Sequence, residues 1–171
     1  YRKAKGGAPL KENMAAALVM LAHWFPDNPF VDPVCGSGTI PIEAALYGHN
    51  IAPGINRSFV CEQWTNLVPD GLADDVRNEA DSKADYDVEL DIHGYVANPP
   101  YGERLSDKET VHELYRQMGK LYRPMTTWSK YILTADLEFE KYYGASATKK
   151  RKLYNGALRT DLFQYWGKKK R

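Results

Sequence analysis

The chain has few cysteines, no long apolar run and no histidine cluster. Its two cysteines, Cys35 and Cys61, are too few for a disulfide scaffold and lack the CxxC spacing of a zinc site. The four histidines show no metal-binding spacing either, and no apolar run approaches the ~18–20 residues of a membrane span. The first residues, Tyr1–Lys3, do not follow the pattern of a signal peptide. We therefore expect a reduced, cytoplasmic protein without a membrane segment or a metal.

The composition is that of a globular domain. The 171 residues, of which 43% are apolar and 26% charged, suffice for a layered α/β core. The net charge is only +1, yet 11 of the 23 basic residues lie in three short clusters on an otherwise acidic chain. Clustered bases indicate contact with phosphate, and the alternative is a solubilising tail with one solvated face. The clusters are residues 2–5, Lys149–Lys152 and Lys168–Arg171.

The order of the predicted elements indicates an α/β fold. A first helix carries one apolar stripe, and a short strand ending at Asp32 leads through a glycine turn into a helix over Thr39–Tyr47, as in nucleotide-binding α/β units. The stripe consists of Met14, Leu18, Leu21 and Phe25. Phe59 and Trp64 are expected to anchor the irregular stretch that follows. Further helices are predicted over 71–84, from about Ser106 and over 137–143, and a buried strand over Tyr131–Leu133.

The last part of the chain predicts an antiparallel hairpin. Two strand-like runs, Lys152–Tyr154 and Leu158–Trp166, are joined through Asn155-Gly156. Asn-Gly between two such runs is the strongest short-range hairpin signal. An α/β sheet that ends in an antiparallel hairpin is an unusual arrangement.

The segment from Asp32 to Gly38 has the residue types of a ligand-binding turn. Gly36 and Gly38 let the backbone turn sharply and approach a ligand, and the following helix start favours a negative group. A dinucleotide site would need a third glycine where Pro41 stands, and the Gly-Lys-Ser/Thr of a P-loop is missing. The loop suits a smaller ligand with both a carboxylate and an amine, the amine near Asp32. The alternative is a tight strand-to-helix turn without a ligand.

A second motif, Asn98-Pro99-Pro100-Tyr101, follows the end of a short strand. The double proline gives a stiff segment with free carbonyl groups, and the Asn98 side chain adds another acceptor. Tyr101 offers a flat face for stacking. Two acceptors beside an aromatic ring can hold the amine of a base and free its lone pair for attack, without a strong general base. The alternative is a Pro-Pro turn with a packed tyrosine.

Together, the two motifs resemble those of class I S-adenosylmethionine-dependent methyltransferases that act on exocyclic amines. The closer resemblance is to the bacterial large-subunit (23S) rRNA guanine-N2 methyltransferases. It is carried by Ala8–Glu12, Asp32–Ala45, Asn98–Arg104 and Lys150–Gly156. It implies a Rossmann-like three-layer sandwich whose mostly parallel sheet ends in an antiparallel hairpin. It also implies that residues 1–171 are a catalytic domain that an RNA-binding THUMP domain precedes in the full protein.

The resemblance also implies the site. Asn98, Pro99, Pro100 and Tyr101 would hold the target base, which must be unpaired or flipped out of its helix. Pro9 and Leu10 would cover S-adenosylmethionine. The residues expected around its methionine part are Asp32, Pro33, Cys35, Gly36, Ser37, Gly38 and Thr39.

One departure from this family concerns the middle of the chain. Val88–Ile92 has the pattern of a second strand, yet it runs directly into His93–Val96, which has the pattern of a fourth. A βαβ unit takes about 30 or more residues, and there is no room for it. We therefore expect a segment of roughly 30–50 residues to be missing near Ile92 and His93, with a break in the chain there. Asp91 is the alternative ribose ligand.

The sequence thus predicts methyl transfer from S-adenosylmethionine to a guanine amine in 23S rRNA. One alternative is adenine-N6 methylation of DNA, because the Asn98–Tyr101 tetrapeptide serves both bases. The other is a non-catalytic RNA-binding fragment that keeps the fold without a full cofactor site.

Overall fold

The chain divides into two units, and each contains both helices and strands. The units are Tyr1–Pro99 and Pro100–Arg171. The structure, a computed structural model, describes residues 10–94 and 108–168. None of the helices within these ranges combines the length and the apolar character that a membrane span requires.

The first unit places two short parallel strands beside its helices. Strand β1 pairs with β2 in parallel, so that Phe30 lies opposite Ile92 and Asp32 opposite Gly94. In chain order the elements are α1 (Glu12–Leu21), β1 (Phe30–Asp32), α2 (Thr39–Gly48), a 3₁₀ helix (Val60–Gln63), α3 (Leu72–Ser82) and β2 (Ile92–Gly94). The predicted helix–strand–turn–helix order is confirmed.

The core of the first unit lies where α1 and α2 meet the strands. Val19, Trp24 and Ala44 are buried together, and half-buried apolar side chains from the strands and their flanks pack against them. Of the predicted stripe, Met14 and Leu18 are buried, but Phe25 is 64% exposed because α1 ends at Leu21. Trp24 takes the buried position instead, and its indole N–H donates to the Asn28 carbonyl at 2.7 Å.

The irregular stretch between α2 and α3 does not depend on the aromatic anchors that its sequence predicts. Phe59 and Trp64 are 45% and 50% exposed. Polar contacts connect this stretch to α3 instead. The Arg77 guanidinium on α3 forms an ion pair with Glu62 and donates to the Arg57 carbonyl at 3.3 Å.

Strand β2 contradicts the expected break in the chain. Ile92 and His93 are consecutive residues of one continuous strand. This strand joins the residues predicted to end one strand and to begin another, and its pairing with β1 starts where the Phe30 N–H donates to the Asp91 carbonyl at 2.8 Å. The residues around Ile92 thus form a single parallel partner of β1.

The second unit is a three-stranded antiparallel sheet with helices. The strand order is β3-β5-β4, and β4 and β5 form the predicted hairpin. Its elements are α4 (Lys108–Tyr122), β3 (Lys130–Thr134), α5 (Phe139–Tyr143), β4 (Lys149–Asn155) and β5 (Leu158–Tyr165). Its core is aromatic and consists of Tyr115, Phe139, Tyr143 and Phe163. The predicted α/β class is confirmed in the form of one parallel pair and one antiparallel sheet.

Helices α4 and α5 approach each other closely at a glycine. A Cβ atom at Gly119 would collide with the carbonyl oxygen of Tyr143, the last residue of α5. The helix backbone is not free to yield, because Tyr143 is itself buried in the aromatic core. Gly119 therefore allows the spacing between these two helices.

We expect Gly119→Ala to destabilise the protein by about 1–3 kcal/mol, the usual cost of overpacking a core. Urea unfolding followed by circular dichroism measures this as a lower midpoint with an unchanged slope. The control Lys120→Ala changes the neighbouring exposed position of α4 and is expected to stay within about 0.5 kcal/mol of the parent. Equal midpoints for the two variants would contradict a close contact at Gly119.

Candidate active site

The turn between β1 and α2 is built on two glycines. Gly36 and Gly38 have φ angles of 55° and 75°, in the left-handed region that side chains disfavour. The Gly38 N–H donates to the Cys35 carbonyl at 2.8 Å, and the Gly38 carbonyl accepts the Ile42 N–H at 2.9 Å. The chain therefore closes a tight loop and enters α2 directly after it.

Asp32 is the last residue of β1, and its two carboxylate oxygens differ in their surroundings. Its Oδ1 accepts the Val34 N–H at 3.2 Å. Its Oδ2 is buried and has no hydrogen-bond partner among the described residues. Burial raises the pKa of Asp32 above its usual 3.8, and the hydrogen bond from Val34 opposes this in part. A buried acceptor without a partner costs free energy, and a cationic ligand would remove that cost.

The start of α2 supplies the opposite charge. Gly38 is the N-cap of α2 and no side chain caps the helix there. The dipole of α2 favours a negative group at this end of the helix. The hydroxyls of Ser37 and Thr39 lie 3.1 Å apart at this end, with Thr39 buried. A ligand with an ammonium next to Asp32 and a carboxylate at the start of α2 would have the two charged groups of an amino acid.

The structure brings together most of the predicted cofactor residues. The turn and the ends of its flanking elements contain Asp32, Pro33, Cys35, Gly36, Ser37, Gly38 and Thr39. Leu10 is half-buried just before α1. Pro9 and Asn98–Tyr101 lie outside the described residues. Asp91 directly precedes β2, and its Oδ1 lies 2.6 Å from Nε2 of His93 in that strand.

In the second unit, the basic run Lys149–Lys152 lies on β4, where side chains alternate between the two faces of the sheet. Lys150 and Lys152 line an open groove, whereas Lys149 and Arg151 belong to the opposite face. The groove is lined by Leu137, Lys150, Lys152, Arg159, Asp161 and Phe163.

Arg159 is a candidate functional residue that sequence reasoning missed. It lies in β5 opposite Tyr154 of β4, next to the groove-lining Lys152. The Asn-Gly signal could have found it, because the two-residue loop Gly156–Ala157 pairs Asn155 with Leu158 and thereby fixes every later pair.

Comparison with known proteins identifies the family. The model of the RMKL-like methyltransferase domain matches residues 1–95 and 91–164. The chain belongs to this family. The family consists of methyltransferase domains, in agreement with the glycine turn after β1 and the Asn98–Tyr101 motif.

Two relatives illustrate the range of the RMKL-like family. The chain is 45% identical over 210 residues to "Putative RNA methyltransferase YpsC" of Bacillus subtilis, with 98% of this chain and 54% of YpsC covered. It is 32% identical over 220 residues to "Ribosomal RNA large subunit methyltransferase K/L" of Saccharophagus degradans, with 96% of this chain and 29% of that protein covered. The chain therefore spans about half of the first relative and under a third of the second.

Solved structures of similar proteins support the same fold. One is described as "SMU.472, a putative methyltransferase complexed with SAH", with a TM-score of 0.88, 44% identity, and 97% of this chain and 55% of that chain covered. Another is "a predicted N6-adenine-specific DNA methylase" from Listeria monocytogenes, with a TM-score of 0.86, 48% identity, and 98% and 54% covered. The α/β fold of this RMKL-like chain is therefore Rossmann-like.

The burial of Asp32 predicts a pH-dependent stability. Because the pKa of Asp32 is raised in the folded state, the folded protein holds more protons than the unfolded one above about pH 3.8. The contribution of Asp32 to the free energy of unfolding therefore falls as the pH rises from the pKa of the unfolded state to the raised pKa of the folded state. Asp32→Asn cannot ionise, so we expect the variant to gain stability relative to the parent as the pH rises.

Urea unfolding at a series of pH values from ~3.5 to ~7 measures the difference between parent and variant. The matched control, Asp27→Asn, removes one negative charge at an exposed position of the same unit and reports the effect of net charge alone. Parallel stability curves for the parent and Asp32→Asn would contradict a buried, destabilised carboxylate.

Proposed function

We propose that this chain is the catalytic domain of an S-adenosylmethionine-dependent methyltransferase that modifies the exocyclic amine of a guanine in 23S rRNA. The observation that carries the proposal is the buried Oδ2 of Asp32 at the end of β1, which has no partner within residues 10–94 and 108–168. It lies in the same turn as the uncapped start of α2, which suits a ligand that is both an ammonium and a carboxylate. The amino-acid end of S-adenosylmethionine is such a group.

The residues of the turn fit this cofactor. When bound, S-adenosylmethionine supplies a methyl group made electrophilic by its sulfonium. Asp32 would hold the ammonium, and Ser37, Thr39 and the positive end of the α2 dipole would bind the carboxylate. Pro33, Cys35, Gly36 and Gly38 would form the backbone around the methionine part, with Pro9 and Leu10 above it. The SAH in the similar structure of SMU.472 supports this assignment.

The catalytic role is assigned to Asn98–Tyr101. The side-chain oxygen of Asn98 and a free carbonyl of the Pro99-Pro100 segment would accept the two N–H groups of the target amine. Both hydrogen bonds direct the nitrogen lone pair out of the base plane, towards the reacting methyl group. Tyr101 would stack on the base. Rate acceleration then comes from orientation and electrostatics, and no strong general base is required.

The relatives favour RNA as the substrate. Two of them are named as an RNA methyltransferase and as a ribosomal RNA large subunit methyltransferase. The second candidate is adenine-N6 methylation of DNA, which the name of the Listeria structure favours. The Asn98–Tyr101 motif suits guanine and adenine alike, so the two candidate functions are distinguished by identifying the methylated base.

We propose that residues 1–171 are one catalytic domain with the three-layer architecture of its family, that an RNA-binding THUMP domain lies outside them, and that the protein is cytoplasmic.

We also propose that an internal segment is missing relative to the family. The alignment with YpsC extends over 210 residues, so at least 39 aligned positions (210 less 171) have no counterpart in this chain. The two matches to the family meet at residues 91–95, next to Ile92 and His93. This loss supports the alternative of a non-catalytic fragment, because the segment includes the expected ribose-binding unit.

A pair of glycine variants tests the cofactor site. Gly38 and Gly71 are both helix N-caps in the left-handed region, and a Cβ atom would find open space at either, with nothing closer than Ile42 at 3.8 Å. Gly38→Ala and Gly71→Ala should each lose about 1–2 kcal/mol of stability. Only Gly38→Ala should also weaken the binding of S-adenosylmethionine, by about tenfold or more in calorimetry. The reason is that the alanine side chain would enter the space of the cofactor.

Equal cofactor affinity in the two variants would mean that the site lies elsewhere. No measurable binding to the unmodified chain would instead support the non-catalytic alternative.

The catalytic motif predicts a rate effect that is separate from cofactor affinity. In the full-length protein, Asn98→Ala should lower the rate of methyl transfer ~10²–10³-fold, the usual effect of removing one positioned group, and leave cofactor affinity nearly unchanged. Digestion of the methylated RNA or DNA to nucleosides, followed by mass spectrometry, identifies the modified base.

N2-methylguanosine in RNA supports the proposal, and N6-methyladenine in DNA supports the second candidate. An unchanged turnover in Asn98→Ala would refute the assigned mechanism for both.

A further inference from the structure

The β4–β5 hairpin projects beyond the third strand of its sheet. Thr134, the last residue of β3, pairs with Asp161 of β5. The residues before it in β5, Leu158–Thr160, pair only with Leu153–Asn155 of β4. At about 3.3 Å per residue, the hairpin extends ~10 Å past the end of β3.

The hairpin projects at the end of the sheet where β3 and β4 both have their carboxyl ends. Strands β3 and β4 are both antiparallel to β5 and therefore parallel to each other. The loop Gly156–Ala157 consequently lies beyond the carboxyl ends of both strands.

An aromatic ring and cationic groups share one face of this hairpin. Alternation along β4 places Lys152 and Tyr154 on the same face, and the pairing places Arg159 opposite Tyr154. Tyr154, the last residue but one of β4, is 60% exposed. An exposed ring beside a guanidinium and an ammonium is an arrangement that stacks a base and binds its phosphates.

The cations of this face are not all neutralised by carboxylates. The Lys150 amine contacts Glu140 at 2.6 Å, and Arg159 contacts Asp161 at 3.3 Å through only one nitrogen of its guanidinium. Lys152 lies directly opposite Asp161 in β5 but forms no ion pair within 4.0 Å among the described residues. Lys152 and the remaining donors of Arg159 can therefore bind phosphate next to Tyr154.

We propose that this projecting hairpin is a contact for single-stranded RNA, in which Tyr154 stacks on a base and Lys152 and Arg159 bind the flanking phosphates. The proposal rests on the proposed function for the identity of the nucleic acid. Single-stranded RNA exposes its bases for stacking on aromatic side chains, which a duplex does not. Two basic side chains on the same face of a hairpin can follow a strand of phosphates, whereas the complete run Lys149–Lys152 is divided between two faces.

Fluorescence anisotropy of the full-length protein with a labelled single-stranded RNA of mixed sequence tests this contact. Tyr154→Ala should weaken binding about tenfold, and Tyr154→Phe should retain most of the affinity because it keeps the ring. Lys152→Gln should reduce the slope of log affinity against log salt by ~0.7, the value for one lost phosphate contact. The matched control Lys149→Gln removes the same charge from the same strand at an exposed position on the opposite face and should bind as the parent does.

The outcomes separate this proposal from the proposed function. Equal binding by Tyr154→Ala and the parent, or equal slopes for Lys152→Gln and Lys149→Gln, would overturn the hairpin contact and leave methylation of RNA untouched. Tighter binding of a single-stranded DNA of the same sequence through the same residues would overturn the choice of RNA. If the parent neither binds nor methylates RNA, both proposals fail together.

Discussion

The candidate active site depends on one backbone constraint, the left-handed conformation of Gly36 and Gly38. Strand β1 ends at Asp32, and α2 begins at Thr39, so the chain must reverse within a very short turn. Only residues without a Cβ atom adopt that conformation at low cost. The turn places the end of a strand and the start of a helix side by side, which is the geometry on which the charge pattern of the site relies.

Two opposite charges then result from different physical causes. The negative charge belongs to Asp32, which is partly buried and has a raised pKa, and one of its oxygens has no partner in the described part of the chain. The positive charge belongs to no side chain and comes from the dipole of α2. The core of Val19, Trp24 and Ala44 holds the helices of this unit against the strands. The partial burial of Asp32 lowers the stability of the fold, and the same burial makes the turn suited to a ligand with both a positive and a negative group.

The secondary structure of this chain could be predicted well, and the exposure of its side chains less well. Strand β1, helix α2 and the hairpin follow from local signals: a short apolar run, glycines before a periodic segment, and Asn155-Gly156. Phe25 and Trp64 were expected to be buried but are largely exposed. Helix α1 ends before Phe25, and Trp64 belongs to a stretch that polar contacts hold in place. Residues 91–95 match the family twice, and in such a stretch local pattern cannot say whether one strand or two are present.

The sequence by itself determined the class of protein, since the glycine turn, the Asn98–Tyr101 motif and the hairpin are each short, local and ordered along the chain. Tertiary structure alone decided that Oδ2 of Asp32 is buried without a described partner, that the basic run of β4 is divided between two faces, and that Gly119 meets Tyr143. The physical reason is the same in each case. Burial, pairing across strands and helix contact depend on residues that are distant in sequence, and no local pattern encodes them.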